Sequence, residues 1–129
     1  MGFKLKIFKP SELDKKLKCT IHITGKLGFS LETIKKLNIN ESTYIIIGAN
    51  EEDASDKNYY MAISNEPDID GFKINKAGAY YYANTKALFD TLKLDYKSNT
   101  IIFDITNFEH EGQKLYKLQK REVKKKQKI

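Results

Sequence analysis

The 129-residue chain has a single cysteine, Cys19, which excludes an internal disulfide framework and fits a reducing compartment. No apolar run approaches the roughly 20 residues that span a bilayer as a helix. The opening stretch MGFKLKIFKP has basic residues but no continuous apolar segment of the kind a secretory signal needs. Lys6 stands where a myristoylation signal beginning at Gly2 calls for Ser or Thr. These absences make the cytoplasm the expected location and a membrane partner unexpected. Catalytic signatures are missing too: there is no G-x-S-x-G elbow, no P-loop and no dinucleotide fingerprint. Of the two histidines, His22 alternates onto the polar side of a strand pattern, and His110 stands between Glu109 and Glu111. Adjacent strand residues point to opposite sides, so Glu-His-Glu makes a poor ligand set where three or four must converge. No enzyme, metal or cofactor is therefore expected.

What is present is 40% hydrophobic residues with 12% aromatics, the composition of a globular domain. The net charge of +6 is unevenly spread. Residues 1–26 carry seven lysines against Glu12 and Asp14, a balance of +5. Residues 113–129 carry seven lysines and Arg121 against Glu122, a balance of +7, while residues 27–112 come to −6. A polyanion would be held by the ends and repelled by much of the middle.

Strand patterns dominate. Phe3, Leu5 and Ile7 alternate with Lys4 and Lys6, which suggests a short edge strand. Ser11 could cap a short helix carrying Leu13 and Leu17. Residues 19–24 alternate as a half-buried strand, Gly25-Lys26 turns the chain, and Leu27 and Phe29 alternate again. Ser30 is placed to cap a helix with Leu31, Ile34 and Leu37 as its apolar stripe, and Asn38 can end it in the left-handed conformation. TYIII at 43–47 is apolar enough to predict a central, buried strand. EEDASDKN at 51–58 is an acidic hairpin loop that lacks the spacing and glycine of a calcium loop, and YYMAIS at 59–64 is the next strand.

The order then repeats. FKIN at 72–75 matches IHIT at 21–24, Gly78 answers Gly25, and TKALFDTLKL at 85–94 lies over SLETIKKLNI at 30–39. TIIFDI at 100–105 answers residues 43–47. An internal duplication would account for this, as would chance recurrence of a common pattern. The expected fold is α+β, mainly β: a small pseudo-two-fold β-barrel of two strand-turn-strand-helix-strand units, about 19–64 and 72–118, in one domain over 1–119. Residues 120–129 are expected to be a basic, frayed tail.

From Gly25 onward, GKLGFSLETIKKLNINESTYIII resembles the core of AbrB/MazE-type, swapped-hairpin DNA-binding domains. The matching positions are Gly25, Lys26, Leu27, Phe29, Glu32, Lys35, Leu37 and Ile39. The resemblance implies a barrel, DNA as partner, and a homodimer or a tandem repeat to close it. It departs from the family at Ser30, Asn38 and Ser42-Thr43, where proline, glycine and a Gly-Asp pair are usual. The family's DNA-contacting arginines are represented by Lys18, Lys26, Lys35 and Lys36, which can hold phosphate but lack the bidentate fork for guanine. Lys120, Arg121, Lys124, Lys125 and Lys126 are the expected terminal phosphate contacts. In the Tyr80–Tyr82 triplet, core packing is the ordinary role, and stacking of Tyr80 and Tyr82 on unpaired bases is the alternative. The rival to nucleic-acid binding is a protein-interaction or structural module that uses the acidic middle.

Overall fold

The computed structural model describes residues 2–8 and 16–125. Along the chain come β1 (Leu17–Ile21), β2 (Leu27–Phe29), α1 (Leu31–Leu37), β3 (Tyr44–Ala49), β4 (Tyr59–Ser64), β5 (Phe72–Ala77), β6 (Tyr80–Ala83), α2 (Lys86–Thr91), β7 (Asn99–His110) and β8 (Gln113–Lys124). The fold is mainly β. Its eight strands hydrogen-bond into a closed antiparallel ring in the order β1-β2-β6-β5-β3-β4-β8-β7. No described helix is long and apolar enough to cross a membrane.

Alternation sends one side chain set inward. Cys19 and Ile21 of β1, Ile45 of β3, Met61 of β4, Ile74 of β5, Ile101, Phe103 and Ile105 of β7, and Tyr116 and Leu118 of β8 are all buried. Ile34 of α1 and Phe89 of α2 join this core. Each large aliphatic or aromatic side chain so buried contributes about 1.5–3 kcal/mol against exposure.

Local chemistry sets the ends of α1 as expected. The Ser30 hydroxyl accepts a bond from the Thr33 amide at 3.3 Å, and Asn38 adopts φ 53 to close the helix. The apolar stripe is rotated, however. Leu31 is 58% exposed, and fully buried Thr33 takes the inward position. The reason is polar: the Thr33 hydroxyl donates to the Lys18 carbonyl at 3.0 Å and accepts the Lys18 amide at 2.8 Å. It thus satisfies the Lys18 amide, which a leucine would orphan, while the Lys18 carbonyl also accepts from the Ser30 amide at 3.1 Å.

Five further expectations are corrected. Residues 2–8 form no strand, because alternation describes an amphipathic segment without supplying it a ladder partner. The first strand is Leu17–Ile21 rather than 19–24; the His22 amide bonds the Lys26 carbonyl at 2.7 Å and starts the turn there. Of the short helix considered around Ser11–Lys18, residues 11–15 lie outside the described residues, and Leu17 and Lys18 belong to β1. The strand holding TYIII is only half-buried: Ile45 faces the core, whereas Ile46 faces outward. Last, the basic run does not begin as a tail, since β8 continues to Lys124, paired with Asn99 of β7.

Candidate nucleic-acid interface

The inward set of β1 leaves Lys18 and Thr20 on the outer surface of the ring, next to β2 and then β6. Gly28 of β2 pairs with Thr20 on one side and Tyr82 on the other. Having no side chain, it leaves a gap that the Tyr80 ring fills: a Cβ at Gly28 would lie 2.2 Å from the Tyr80 hydroxyl oxygen. Tyr80 and Tyr82, two apart on one strand, share a face and stack with centroids 5.5 Å apart at 20°. The Lys26 ammonium sits 4.7 Å from the Tyr82 ring centroid, a cation–π contact. Partial burial, and secondarily Tyr82, raises the Tyr80 phenol above its ordinary value. A cleft of about 340 Å³ opens beside this pair, lined by Lys18, Thr20, His22, Gly28 and Tyr80. Tyr80 keeps 40% of its surface exposed.

The structure therefore gathers four of the expected contacts, Lys18, Lys26, Tyr80 and Tyr82, onto one face. Lys35 and Lys36 stand exposed in the last turn of α1, whose N-terminus is tied to Lys18 through Thr33. Tyr81, pointing the other way, packs against the core. Pattern alone left the orientation of the triplet open; the strand turns Tyr81 toward the core and sets Tyr80 and Tyr82 on the outer face.

The C-terminal cations are a different matter. Arg121 forms a two-bonded pair with Asp104, at 2.6 and 3.1 Å. Lys120 pairs with Glu122 at 2.8 Å, and the Lys125 ammonium donates to the Tyr96 carbonyl at 3.2 Å. These three were expected to grip phosphate from a free tail. Pairing with β7 brings Arg121 beside Asp104, Glu122 stands two residues from Lys120 on β8 itself, and Tyr96 precedes β7, so each of the three has an acceptor within the chain. Lys124 is exposed at the end of β8, and Lys126 lies outside the described residues.

Sequence reasoning missed a second surface. β4 pairs β8 only through Tyr59, Tyr60 and Met61, whereas the β7–β8 hairpin continues to His110 and Gln113. Where β4 and β8 part, an outward groove of about 950 Å³ opens. Ile46, Tyr60, Ala62, Phe108 and Leu115 give it apolar walls; Glu51, Glu52 and Asp53 border it. Phe108 packs on Tyr60 and on His110, with ring centroids 5.0 and 6.3 Å apart, and His110 ends β7 at the groove. Asp56 organises the acidic loop, accepting from the Tyr60 hydroxyl at 2.5 Å and from Asn58 and Asn50. Those bonds, the tyrosine's foremost, pull its carboxyl down to about 2. The available signal was the outward isoleucine in 43–47, which a wholly buried strand seemed to explain. Among the described residues, no group of three or more His, Cys, Asp or Glu side chains is placed to hold a metal ion.

Comparison with protein-family models, with curated proteins and with solved structures finds no match to the chain.

Proposed function

We propose that this is a cytoplasmic nucleic-acid-binding protein without catalytic activity, with DNA as partner, and that it binds on the outer face of β1, β2 and β6. Lys18 and Lys26, aided by Lys35 and Lys36, neutralise phosphates, while Tyr80 and Tyr82 offer a surface for unpaired bases. The observation carrying this reading is the stacked tyrosine pair flanked by lysine at the edge of an open cleft. Both tyrosine rings stand outside a closed ring of strands whose core other residues supply, where unpaired bases could stack on them.

We also read the ring as two related units closed into one pseudo-two-fold barrel, in keeping with the swapped-hairpin resemblance. Exchanging β1 with β5, β2 with β6, β3 with β7 and β4 with β8 returns the same set of neighbouring strands. The register supports it. Cys19 faces Phe103 as Phe72 faces Ile45, and Ile47 faces Met61 as Ile105 faces Leu118. The equivalence puts Phe72 over Cys19, two residues from the match that alternation suggested. A period of two makes those registers look alike.

The test is a titration of single-stranded and duplex DNA oligonucleotides across a salt series. Affinity should fall steeply with salt, and replacing Lys18 and Lys26 by alanine should lower the log–log slope by roughly 1.5. Tyr80→Ala should weaken single-strand binding by about tenfold, within the range found for one stacked base, and affect duplex binding less. Salt-independent binding, no binding, or wild-type behaviour of both variants would reject the reading. The outward groove favours a second reading, docking of a protein segment, which the next observations make specific.

A further inference from the structure

Two apolar surfaces stand uncovered, and they complement each other. One is the groove, with apolar walls and three acids along its border. The other is the N-terminal arm, residues 2–8, which joins no helix or strand. Phe3, Leu5 and Ile7 in it are 89%, 67% and 65% exposed. In an extended chain these three share one side, with Lys4 and Lys6 on the other. Such a segment has an apolar edge for the walls and ammonium groups for the carboxylates. Residues 3–7 extended span about 13 Å, a length suited to lying along a cleft between two hairpins.

Chain direction brings the two together. β1 runs antiparallel to β7 from Leu17 opposite Ile105, so β1 begins on the side of the molecule where β7 goes on to Phe108 and His110. The arm's exposed side chains show that it does not occupy the groove of its own chain. We propose that the arm of one molecule lies in the groove of a second copy, and that the exchange is reciprocal. Phe3, Leu5 and Ile7 pack on Ile46, Ala62, Phe108 and Leu115, and Lys4 and Lys6 reach Glu51, Glu52 and Asp53. Reciprocal exchange is a two-fold arrangement that closes on itself and stops at the dimer. It uses none of the lysines assigned above to nucleic acid.

Sedimentation of the full chain without nucleic acid tests this over a range of concentrations. A monomer–dimer equilibrium is expected, abolished by Phe3→Asp with Ile7→Asp. Those positions lie outside the ring, so the fold is not at stake. Lys4→Glu with Lys6→Glu should weaken the dimer by about tenfold, as should Glu51→Lys with Glu52→Lys, and combining all four should restore it. A labelled peptide of residues 2–8 should bind the Phe3→Asp, Ile7→Asp protein better than a scrambled peptide of the same composition. Equal binding of the two peptides would point to basic apolar segments of other proteins and overturn the proposal. So would a wild-type monomer up to about 1 mM, or a dimer indifferent to the arm. Failure of the four-charge combination to recover would also overturn it, as would arm–groove contacts within a monomer by nuclear magnetic resonance.

Discussion

At Gly28 the missing side chain is what lets the Tyr80 ring lie against β2; Tyr82 then has a ring to stack on and Lys26 a π-face to cap. One backbone position thus shapes the whole aromatic face. Asp56 plays a comparable part at the groove, where one carboxylate holds the loop to Tyr60. Its carboxyl lies at about 2, below the ordinary 3.8, with the Tyr60 hydroxyl as the largest cause. A depressed carboxylate contributes stability that is present above pH 4 or so and is lost as pH falls from about 4 to 2. Tyr60→Phe keeps the ring against Phe108 but removes the hydroxyl. Urea midpoints of the variant should therefore lie below wild type at neutral pH, and the two curves should converge near pH 2. Curves that stay parallel through the acid range would show that the bond does not link the loop to folding. Asp90, also depressed by Lys86 and Tyr96, should leave the variant some acid sensitivity.

Among the elements, β8 departs most from its sequence appearance. Its last five residues pair with 99–103 of β7, a stretch that includes the core residues Ile101 and Phe103. A chain ending at Gln119 would leave that part of β7 without its β8 ladder and would lose the Arg121–Asp104 pair. At about 1 kcal/mol per net ladder hydrogen bond, the loss should come to about 4 kcal/mol, enough to unfold a marginal domain. Denaturant melts should show this, whereas a chain ending at Lys125 retains every β7–β8 pair and should melt as wild type. Equal stability of the two truncations would mean that residues 120–124 contribute no ladder.

The same strand marks how far the sequence could be read. Inward positions were legible where apolar residues alternated within a paired strand, as with Cys19 and Ile21 of β1 and Ile74 of β5, and the cap residues Ser30 and Asn38 were legible from their chemistry. Residues 120–124 were not, because a ladder bonds backbone to backbone and a long partner strand can hold lysines and glutamates in register. The arm failed in the opposite sense: it has strand alternation and no partner. At the candidate interface, residue types and alternation suggested Tyr80 and Tyr82. The gap at Gly28 that seats them depends on which strands are neighbours, and that is set by contacts between distant parts of the chain.

For the molecule as a whole, strand order decides how it comes apart. β2 of the first half bonds β6 of the second, β3 bonds β5, β4 bonds β8, and β1 bonds β7. Neither half holds a complete sheet, and the core draws from both, so loss of one seam exposes apolar surface throughout. Unfolding should be a single transition, with a urea slope of about 1–3 kcal/mol per molar. Cys19 offers a built-in probe because it sits on β1, at the β1–β7 seam, and is 1% exposed. Burial, with Asp104 adding to it, keeps the thiol protonated well above its ordinary range, so the native protein should react slowly with a chromogenic disulfide. Thiol reactivity and far-ultraviolet circular dichroism, followed through the same urea series, should give superimposable curves. If Cys19 becomes reactive at urea concentrations where the dichroism is still native, β1 opens on its own. The ring would then be a sheet with a loose edge rather than one cooperative unit.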